Sequence, residues 1–216
     1  VGWVCPEGRS ESHSQKLLRS TIIALVDSFC ANEPAVVSSA RKLFEAHWDD
    51  PSALPSDIKT TVYRIVLKAG GESEYEAVLK TFYATSDNSE RKYAMNSLGA
   101  TKSLELKRRT LDWAVKSGDV KLQDFFYPIG ATASAPGREL VWNYFKENLP
   151  YIREKLNKAN SSLMDAVIVY SINRFGTADM ADEIEGFFRE NPIPSSSRRI
   201  SQSVESIRTA AKMLAQ

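Results

Sequence analysis

A short turn motif occurs twice in this chain, each time between two amphipathic segments. The first copy reads LGATKS over Leu98–Ser103, and the second reads IGATAS over Ile129–Ser134, with Gly99 and Gly130 lying 31 residues apart. A glycine tolerates the left-handed backbone conformation that ends many helices, and a following hydroxyl accepts from the free N–H groups of the next helix. The motif therefore predicts a repeated helix-turn-helix unit.

Helical periodicity extends along the whole chain and predicts about a dozen helices in antiparallel pairs, without strands. Aromatic residues mark the second helix of each pair at intervals of 38, 31, 32 and 42 residues: Phe44, Phe82, Trp113, Phe145 and Phe187. This irregular spacing favours HEAT-like or armadillo-like repeats over tetratricopeptide repeats, whose period is about 34 residues. Because one pair cannot bury its apolar face alone, the pairs are predicted to stack into a superhelical solenoid. The predicted fold is all-α, with a linker over residues 1–14 and a single HEAT-like domain over residues 15–216.

Two prolines are predicted to interrupt helices in the second half of the chain. The aromatic run Val120–Ile129 has the composition of a strand, but its position between helical segments favours a helix. Pro128 is expected to end or bend that helix near its last turn. Pro150 is expected to separate a helix ending near Asn148 from another over residues 151–160.

Charge is nearly balanced along this sequence. The chain has 28 Lys and Arg against 27 Asp and Glu, a net charge of +1, so no global field attracts nucleic acid or an acidic membrane. The two local basic runs, Lys107-Arg108-Arg109 and Arg198-Arg199, are interpreted as solvated helix faces. No apolar run approaches the ~18 residues of a membrane-spanning helix. Neither nucleic acid nor a membrane is therefore a predicted partner.

The two cysteines bear on the cellular compartment. Cys5 and Cys30 have neither metal-ligand spacing nor a disulfide framework, and we interpret them as free thiols in a reducing compartment. The predicted location is cytoplasmic. The chain begins Val1-Gly2-Trp3, without a signal-peptide pattern or an initiator Met, and is expected to be a piece of a longer protein.

Catalysis needs a nucleophile, a base or a metal held in one place, and this sequence offers few candidates. Neither His13 nor His47 has a second His four residues later, as zinc-protease helices do. A metal site at His47-Trp48-Asp49-Asp50 is one interpretation, and a surface histidine at a helix end is the favoured one. Four aromatic residues at helical spacing are interpreted as core packing rather than ligand stacking: Trp113, Trp142, Phe145 and Phe187. No catalytic, cofactor-binding or metal-binding residue is predicted.

Eight stretches of the sequence carry a family resemblance: Gly2-Trp3 with Glu7, Leu17–Arg19, Ala40–Phe44, Val62–Leu67, Leu98–Lys102, Gly137–Asn148, Glu185–Phe188 and Ile200–Ile207. In order and spacing they resemble the C-terminal helical domain of the M1 family of zinc aminopeptidases, in particular its puromycin-sensitive, cytosolic branch. The resemblance covers almost the entire chain.

The resemblance implies that the parent protein is a zinc-dependent aminopeptidase whose zinc helix lies upstream, so this stretch itself holds no cofactor. In that family the helical C-terminal domain closes over the catalytic domain and limits which peptides reach the metal. The implied partners are the upstream catalytic domain and peptide substrates. Relatives from the endoplasmic reticulum place basic residues in the turn where this chain has Ala133, Ser134 and Ala135. Arg138 is the nearest positive group and becomes the candidate contact to the substrate chamber.

Two functions of different classes remain open at this point. One is a non-catalytic domain that shapes substrate access in an aminopeptidase. The other is a free-standing α-solenoid scaffold that binds a protein partner on its concave face. A solenoid cut in mid-array exposes the apolar face of its first helix, so some self-association of this piece is expected.

Overall fold

The computed structural model describes residues 2–6, 8–134, 136–156 and 161–215. Within these residues the chain is helical and has no strand, which confirms the all-α prediction. The helices are α1 (His13–Phe29), α2 (Pro34–Asp49), α3 (Ser56–Ala69), α4 (Glu72–Ala84), α5 (Asn88–Met95), α6 (Leu104–Lys116), α7 (Phe126–Thr132), α8 (Arg138–Leu156), α9 (Ser161–Ile172), α10 (Ala178–Glu190) and α11 (Ser197–Leu214). Short 3-10 turns occur at Pro51–Ala53, Leu98–Ala100, Leu122–Asp124 and Pro194–Ser196.

The chain divides into two compact units, Val1–Lys107 and Arg108–Gln216. The first unit is built around α3, which packs against α1, α2, α4, α5 and the turn Leu98–Ala100. Its side chains are buried around most of the helix circumference, including Ile58, Val62, Tyr63, Ile65, Val66 and Leu67. In the second unit α9 has the corresponding position and packs against α7, α8 and α11, while α10 packs against α11. The single-domain boundaries over residues 15–216 stay a prediction.

The repeated turn motif has two different local structures. Gly99 lies within the 3-10 turn Leu98–Ala100 and Gly130 lies inside α7. Among the described residues, only Gly8 and Gly118 have positive φ, so the predicted left-handed helix ends at Gly99 and Gly130 are wrong. Gly130 instead allows a close approach, because a Cβ there would lie 2.7 Å from Cδ1 of Tyr170.

The predicted hydroxyl cap is confirmed in the first copy of the motif. The backbone N–H of Leu106 donates to Oγ of Ser103 at 3.2 Å, so Ser103 caps the start of α6. In the second copy the hydroxyl of Ser134 donates backward to Ala131 O at 3.2 Å. Local sequence similarity therefore produces a helix cap at the first turn and a backward hydroxyl bond at the second.

Both proline predictions are wrong. Pro128 lies in the first turn of α7, where its missing N–H leaves no helical hydrogen bond unmade. Pro150 lies inside α8, which continues to Leu156. The reason is an apolar stripe with the helical spacing 4, 3, 4 that passes the proline on both sides: Phe145, Leu149, Ile152 and Leu156, all nearly fully buried. Burial of this stripe outweighs the hydrogen bond that Pro150 cannot donate. The far end of the predicted second helix, residues 157–160, lies outside the described residues.

Candidate functional site

Arg138, the candidate chamber contact, is the first residue of α8. The turn before it is closed by a hydrogen bond of 2.6 Å from Gly137 N to Ser134 O. The Arg138 side chain is exposed, and Nη1 donates to the carbonyl oxygen of Arg174 at 3.1 Å. This bond ties the start of α8 to the segment that follows α9, and it leaves the rest of the guanidinium facing solvent. The same turn holds the three residues that stand where some relatives are expected to carry basic residues. Ala133 is buried and Ser134 is half-buried, while Ala135 lies outside the described residues.

Trp142 and Lys146 follow Arg138 at intervals of four residues and lie on the same side of α8. Oε1 of Glu183, on α10, accepts from Trp142 Nε1 at 2.8 Å and from Lys146 Nζ at 2.7 Å. These two hydrogen bonds, that of Lys146 first, lower the pKa of Glu183. Lys146 Nζ also lies 5.1 Å from the centre of the Trp142 ring. Glu183 therefore neutralises Lys146, whereas the exposed Arg138 bonds to a carbonyl oxygen, that of Arg174.

Beneath this polar edge, the aromatic residues form a packed cluster. The Trp142 ring contacts Phe187 at 5.0 Å, edge to face, and Phe145 at 5.8 Å, nearly parallel. Trp142 and Phe145 are each only 1% exposed. Trp113 is 8% exposed and Phe187 is half-buried. The core-packing interpretation is therefore confirmed for Trp113, Trp142 and Phe145.

His47 is not the surface residue that the sequence favoured. It is 7% exposed, its Nδ1 lies 2.6 Å from Phe44 O, and its Nε2 lies 2.9 Å from the hydroxyl of Tyr63. Because a carbonyl can only accept, Nδ1 carries the proton and the Tyr63 hydroxyl donates to Nε2. Burial is the main cause that lowers the pKa of His47, so the ring is neutral near pH 7. Both ring nitrogens of His47 are thus engaged in hydrogen bonds.

Lys107 was also predicted to lie on a solvated helix face, as part of the run Lys107-Arg108-Arg109, and for Lys107 this prediction is wrong. It is fully buried at 0% exposure and its ammonium donates to the carbonyl oxygen of Gly99. Burial lowers its pKa to about 8, with Arg64 and Lys68 adding repulsion. A usable sequence signal exists, because Lys107 shares a helical stripe with Leu111 and Ala114 at spacings of four and three.

The neighbouring basic residues do behave as solvated helix faces. Arg108 is partly exposed and pairs with Glu147 at 2.9 Å and with Asp112 at 3.7 Å. Arg198 and Arg199, at the start of α11, are both exposed. The prediction for these residues is confirmed.

Two kinds of feature are absent from the described part of the chain. No group of three or more His, Cys, Asp or Glu side chains there is arranged to hold a metal ion. No helix within the same residues combines the length and the apolarity needed to cross a membrane.

Comparison with known proteins gives a consistent result along the chain. The family model for the ERAP1-like C-terminal domain matches residues 1–209. Similar curated proteins include Aminopeptidase M1-B of rice, 27% identical over 219 residues, which cover 99% of this chain and 24% of that protein. Aminopeptidase 2, mitochondrial, of Saccharomyces cerevisiae is 29% identical over 214 residues, covering 98% of this chain and 22% of its own length. The puromycin-sensitive aminopeptidase of Caenorhabditis elegans is 23% identical over 215 residues, covering 96% and 22%. The chain thus spans about a quarter of the length of these relatives.

Proposed function

Because the chain belongs to the family of ERAP1-like C-terminal domains, we propose that it is the non-catalytic C-terminal domain of a zinc-dependent M1 aminopeptidase. In that role it covers the catalytic chamber, shapes the access of peptide substrates and takes part in domain closure. The observation that carries the proposal is the family match over residues 1–209, together with the three relatives named above, each an aminopeptidase about four times as long as this chain. The upstream catalytic domain of the same protein is the proposed partner.

Zinc in such a parent enzyme would be bound outside this chain. A catalytic zinc site needs three protein ligands drawn from His, Cys, Asp or Glu. The described residues offer no such group, and the buried histidine, His47, already has both ring nitrogens in hydrogen bonds. No step of peptide hydrolysis is therefore assigned to side chains of this chain.

The proposed solenoid is supported by the way consecutive helices pack. Neighbours in sequence contact one another in the pairs α2 with α3, α4 with α5, α8 with α9, and α10 with α11. Pairing of this kind is typical of HEAT-like arrays. We include a cytoplasmic location in the proposal because both cysteines, Cys5 and Cys30, are free thiols. One relative is named as mitochondrial.

Arg138 is the proposed contact to substrate. Its guanidinium is exposed, is held in place by Arg174 O, and has no carboxylate partner among the described residues. A peptide with a free C-terminal carboxylate is the ligand that such a group suits, since guanidinium and carboxylate form charge-assisted hydrogen bonds.

The experiment compares two variants of the longer protein that carries this chain. For an octapeptide with a free carboxylate, Arg138→Ala is expected to raise KM about two- to fivefold. This factor corresponds to the free energy of one exposed ion pair. Hydrolysis of an aminoacyl-naphthylamide, which has no carboxylate to bind, should be unchanged. Arg189→Ala is the matched control, because Arg189 is an exposed arginine on α10 that pairs only loosely with Glu185, at 4.0 Å. Equal effects on both substrates, or an equal effect of the control, would contradict the role of Arg138.

A second measurement tests the non-catalytic assignment itself. The 216-residue chain, incubated with zinc and an aminoacyl-naphthylamide, is expected to release no product. Sustained turnover that a chelator abolishes would refute the assignment. A gene that encodes no metallopeptidase domain upstream of Val1 would instead favour the scaffold function.

A further inference from the structure

A second arginine has its main chain beside the guanidinium of Arg138. Arg138 Nη1 donates to the carbonyl oxygen of Arg174 at 3.1 Å. Because a carbonyl oxygen lies about 2.4 Å from the Cα atom of its own residue, Arg174 Cα is within about 5.5 Å of Arg138 Nη1. The Arg174 side chain is exposed and forms no hydrogen bond or ion pair among the described residues. Two cationic side chains therefore lie together at the start of α8.

The segment between α9 and α10 fixes the position of Arg174. The N–H of Asn173 donates to Val169 O at 2.9 Å, and that of Phe175 donates to Ile172 O at 3.3 Å, so the chain turns tightly at the end of α9. Phe175 is 7% exposed and anchors the segment in the second unit. The main chain of Arg174 is therefore held without the help of its own side chain, which stays available to a ligand.

The Arg138 guanidinium also keeps one edge for a ligand. Its bond to the main chain uses Nη1, whereas Nε and Nη2, the two nitrogens along one edge of the fork, form no hydrogen bond within the described part of the chain. Such an edge binds both oxygens of one carboxylate. The N-terminus of α8 adds a partial positive charge, and Glu139, exposed in the same turn, pairs with neither arginine among the described residues. One carboxylate thus fills the edge of Arg138, and Arg174 remains for a second anionic group.

We propose that Arg174 binds the side-chain carboxylate of a C-terminal Asp or Glu, while Arg138 binds the α-carboxylate of the same residue. The two carboxylates of such a residue are joined by a short carbon chain, which suits guanidinium groups that lie close together. A ligand with two carboxylates also neutralises both cations, which otherwise repel each other. The inference rests on the proposed function and adds to it a specificity residue, Arg174, and a substrate class, peptides that end in an acidic residue.

The test measures KM of the longer protein for two octapeptides that differ only in the last residue, Glu in one and Gln in the other. Both peptides have a free α-carboxylate, so they differ in the charge of one side chain. KM is expected to be about two- to fivefold lower for the Glu peptide, which corresponds to one exposed ion pair. The preference should shrink as ionic strength rises, because salt screens exposed charges.

Arg174→Ala should abolish the preference for the Glu peptide. The substitution deletes the guanidinium but keeps the carbonyl oxygen that accepts from Arg138, so KM for the Gln peptide should stay unchanged. Arg174→Lys, which keeps the charge, should retain part of the preference. Arg189→Ala is the control, since it removes an exposed arginine from α10, and it should leave the preference intact.

The outcomes for the two arginines separate this inference from the proposed function. Equal KM values for the two peptides in the unchanged protein, or a Glu preference that survives Arg174→Ala, would overturn the inference. The proposed function still stands in either case, provided that Arg138→Ala raises KM for the Gln peptide. If Arg138→Ala changes KM for neither peptide, the contact between Arg138 and substrate is refuted, and the inference about Arg174 fails with it.

Discussion

The buried pair of Tyr63 and His47 allows a sharp test of what holds the first unit together. Tyr63→Phe removes a single oxygen atom, which donates to His47 Nε2 at 2.9 Å and is also hydrogen-bonded to the side chain of Thr81. The ring itself stays, with its edge-to-face contact to Phe44 at 5.5 Å. The substitution therefore separates the hydrogen bond from the packing.

The size of the effect follows from burial. Tyr63 is 1% exposed and His47 is 7% exposed, so water cannot replace the lost donor without entering the core. Leaving one buried acceptor unsatisfied lowers the free energy of unfolding by about 1–3 kcal/mol. The missing hydroxyl leaves only a small void, so the cavity contribution stays minor. We expect a loss of about 2 kcal/mol, near the middle of that range.

The assay is urea unfolding at pH 7.5, followed by circular dichroism. The midpoint should fall while the slope stays constant, since the surface exposed on unfolding is the same. Tyr170→Phe is the control: Tyr170 is 40% exposed, and the same chemical change there should alter stability by less than about 0.5 kcal/mol. If Tyr63→Phe changes the free energy of unfolding no more than the control, the hydrogen bond to His47 does not stabilise the unit and the reasoning fails.

Two further predictions concern His47 and Gly130. Burial lowers the pKa of His47, so its neutral form stabilises the fold above its ordinary pKa of about 6.5, and this stabilisation is lost as the pH falls through the lowered value. Urea midpoints measured between pH 7.5 and 5 should decline in the unchanged chain and decline less in His47→Gln. An equal dependence of the midpoint on pH in the two proteins would contradict the prediction. Gly130→Ala places a Cβ 2.7 Å from Tyr170 Cδ1 and should lower the free energy of unfolding by about 1–3 kcal/mol in thermal or urea melts. Gly186→Ala in α10, where nothing lies within 4 Å of the added atom, should instead stabilise by up to about 1 kcal/mol, and a gain at both positions would show that Tyr170 does not constrain Gly130.

Helix content was readable from the sequence because it depends on local pattern. Apolar residues three and four positions apart mark α2, α3 and α10, and a hydroxyl three residues before Leu106 marks the start of α6. The aromatic residues of α8 were placed correctly in the core for the same reason. The family resemblance, which rests on the order and spacing of eight short stretches of sequence, agrees with the family match over residues 1–209.

The features that sequence reasoning missed depend on partners far away in the chain. Gly130 is needed for its contact with Tyr170, 40 residues later, and not for its own backbone conformation. His47 is buried because Tyr63 supplies a donor from the next helix. Pro150 sits inside α8 because the apolar stripe around it is buried in the second unit, and a local propensity rule assigns no weight to that burial.

At the candidate site too, local sequence predicts some features, and contacts between distant residues determine the others. That Arg138 begins a helix and is exposed follows from its place after a turn, whereas its bond to Arg174 O comes from a segment that packs nearby only in the folded unit. Lys107 shows that a cation inside a basic run is not always solvated, since its position on an apolar stripe is the stronger signal.

The ionic attachment of α1 has a consequence for local motion. Arg19 of α1 pairs with Asp57 of α3, and Asp27 of α1 pairs with Arg64 and Lys68 of α3. Salt screens contacts between charged groups, less strongly where the groups are partly buried, whereas it does not screen apolar contacts. Raised ionic strength should therefore loosen α1 before α3 and its other neighbours, to the modest extent that partly buried pairs allow. Amide hydrogens of α1 would then exchange with solvent ahead of those of α3, so that the edge of the first unit responds to ionic conditions that leave its interior unchanged.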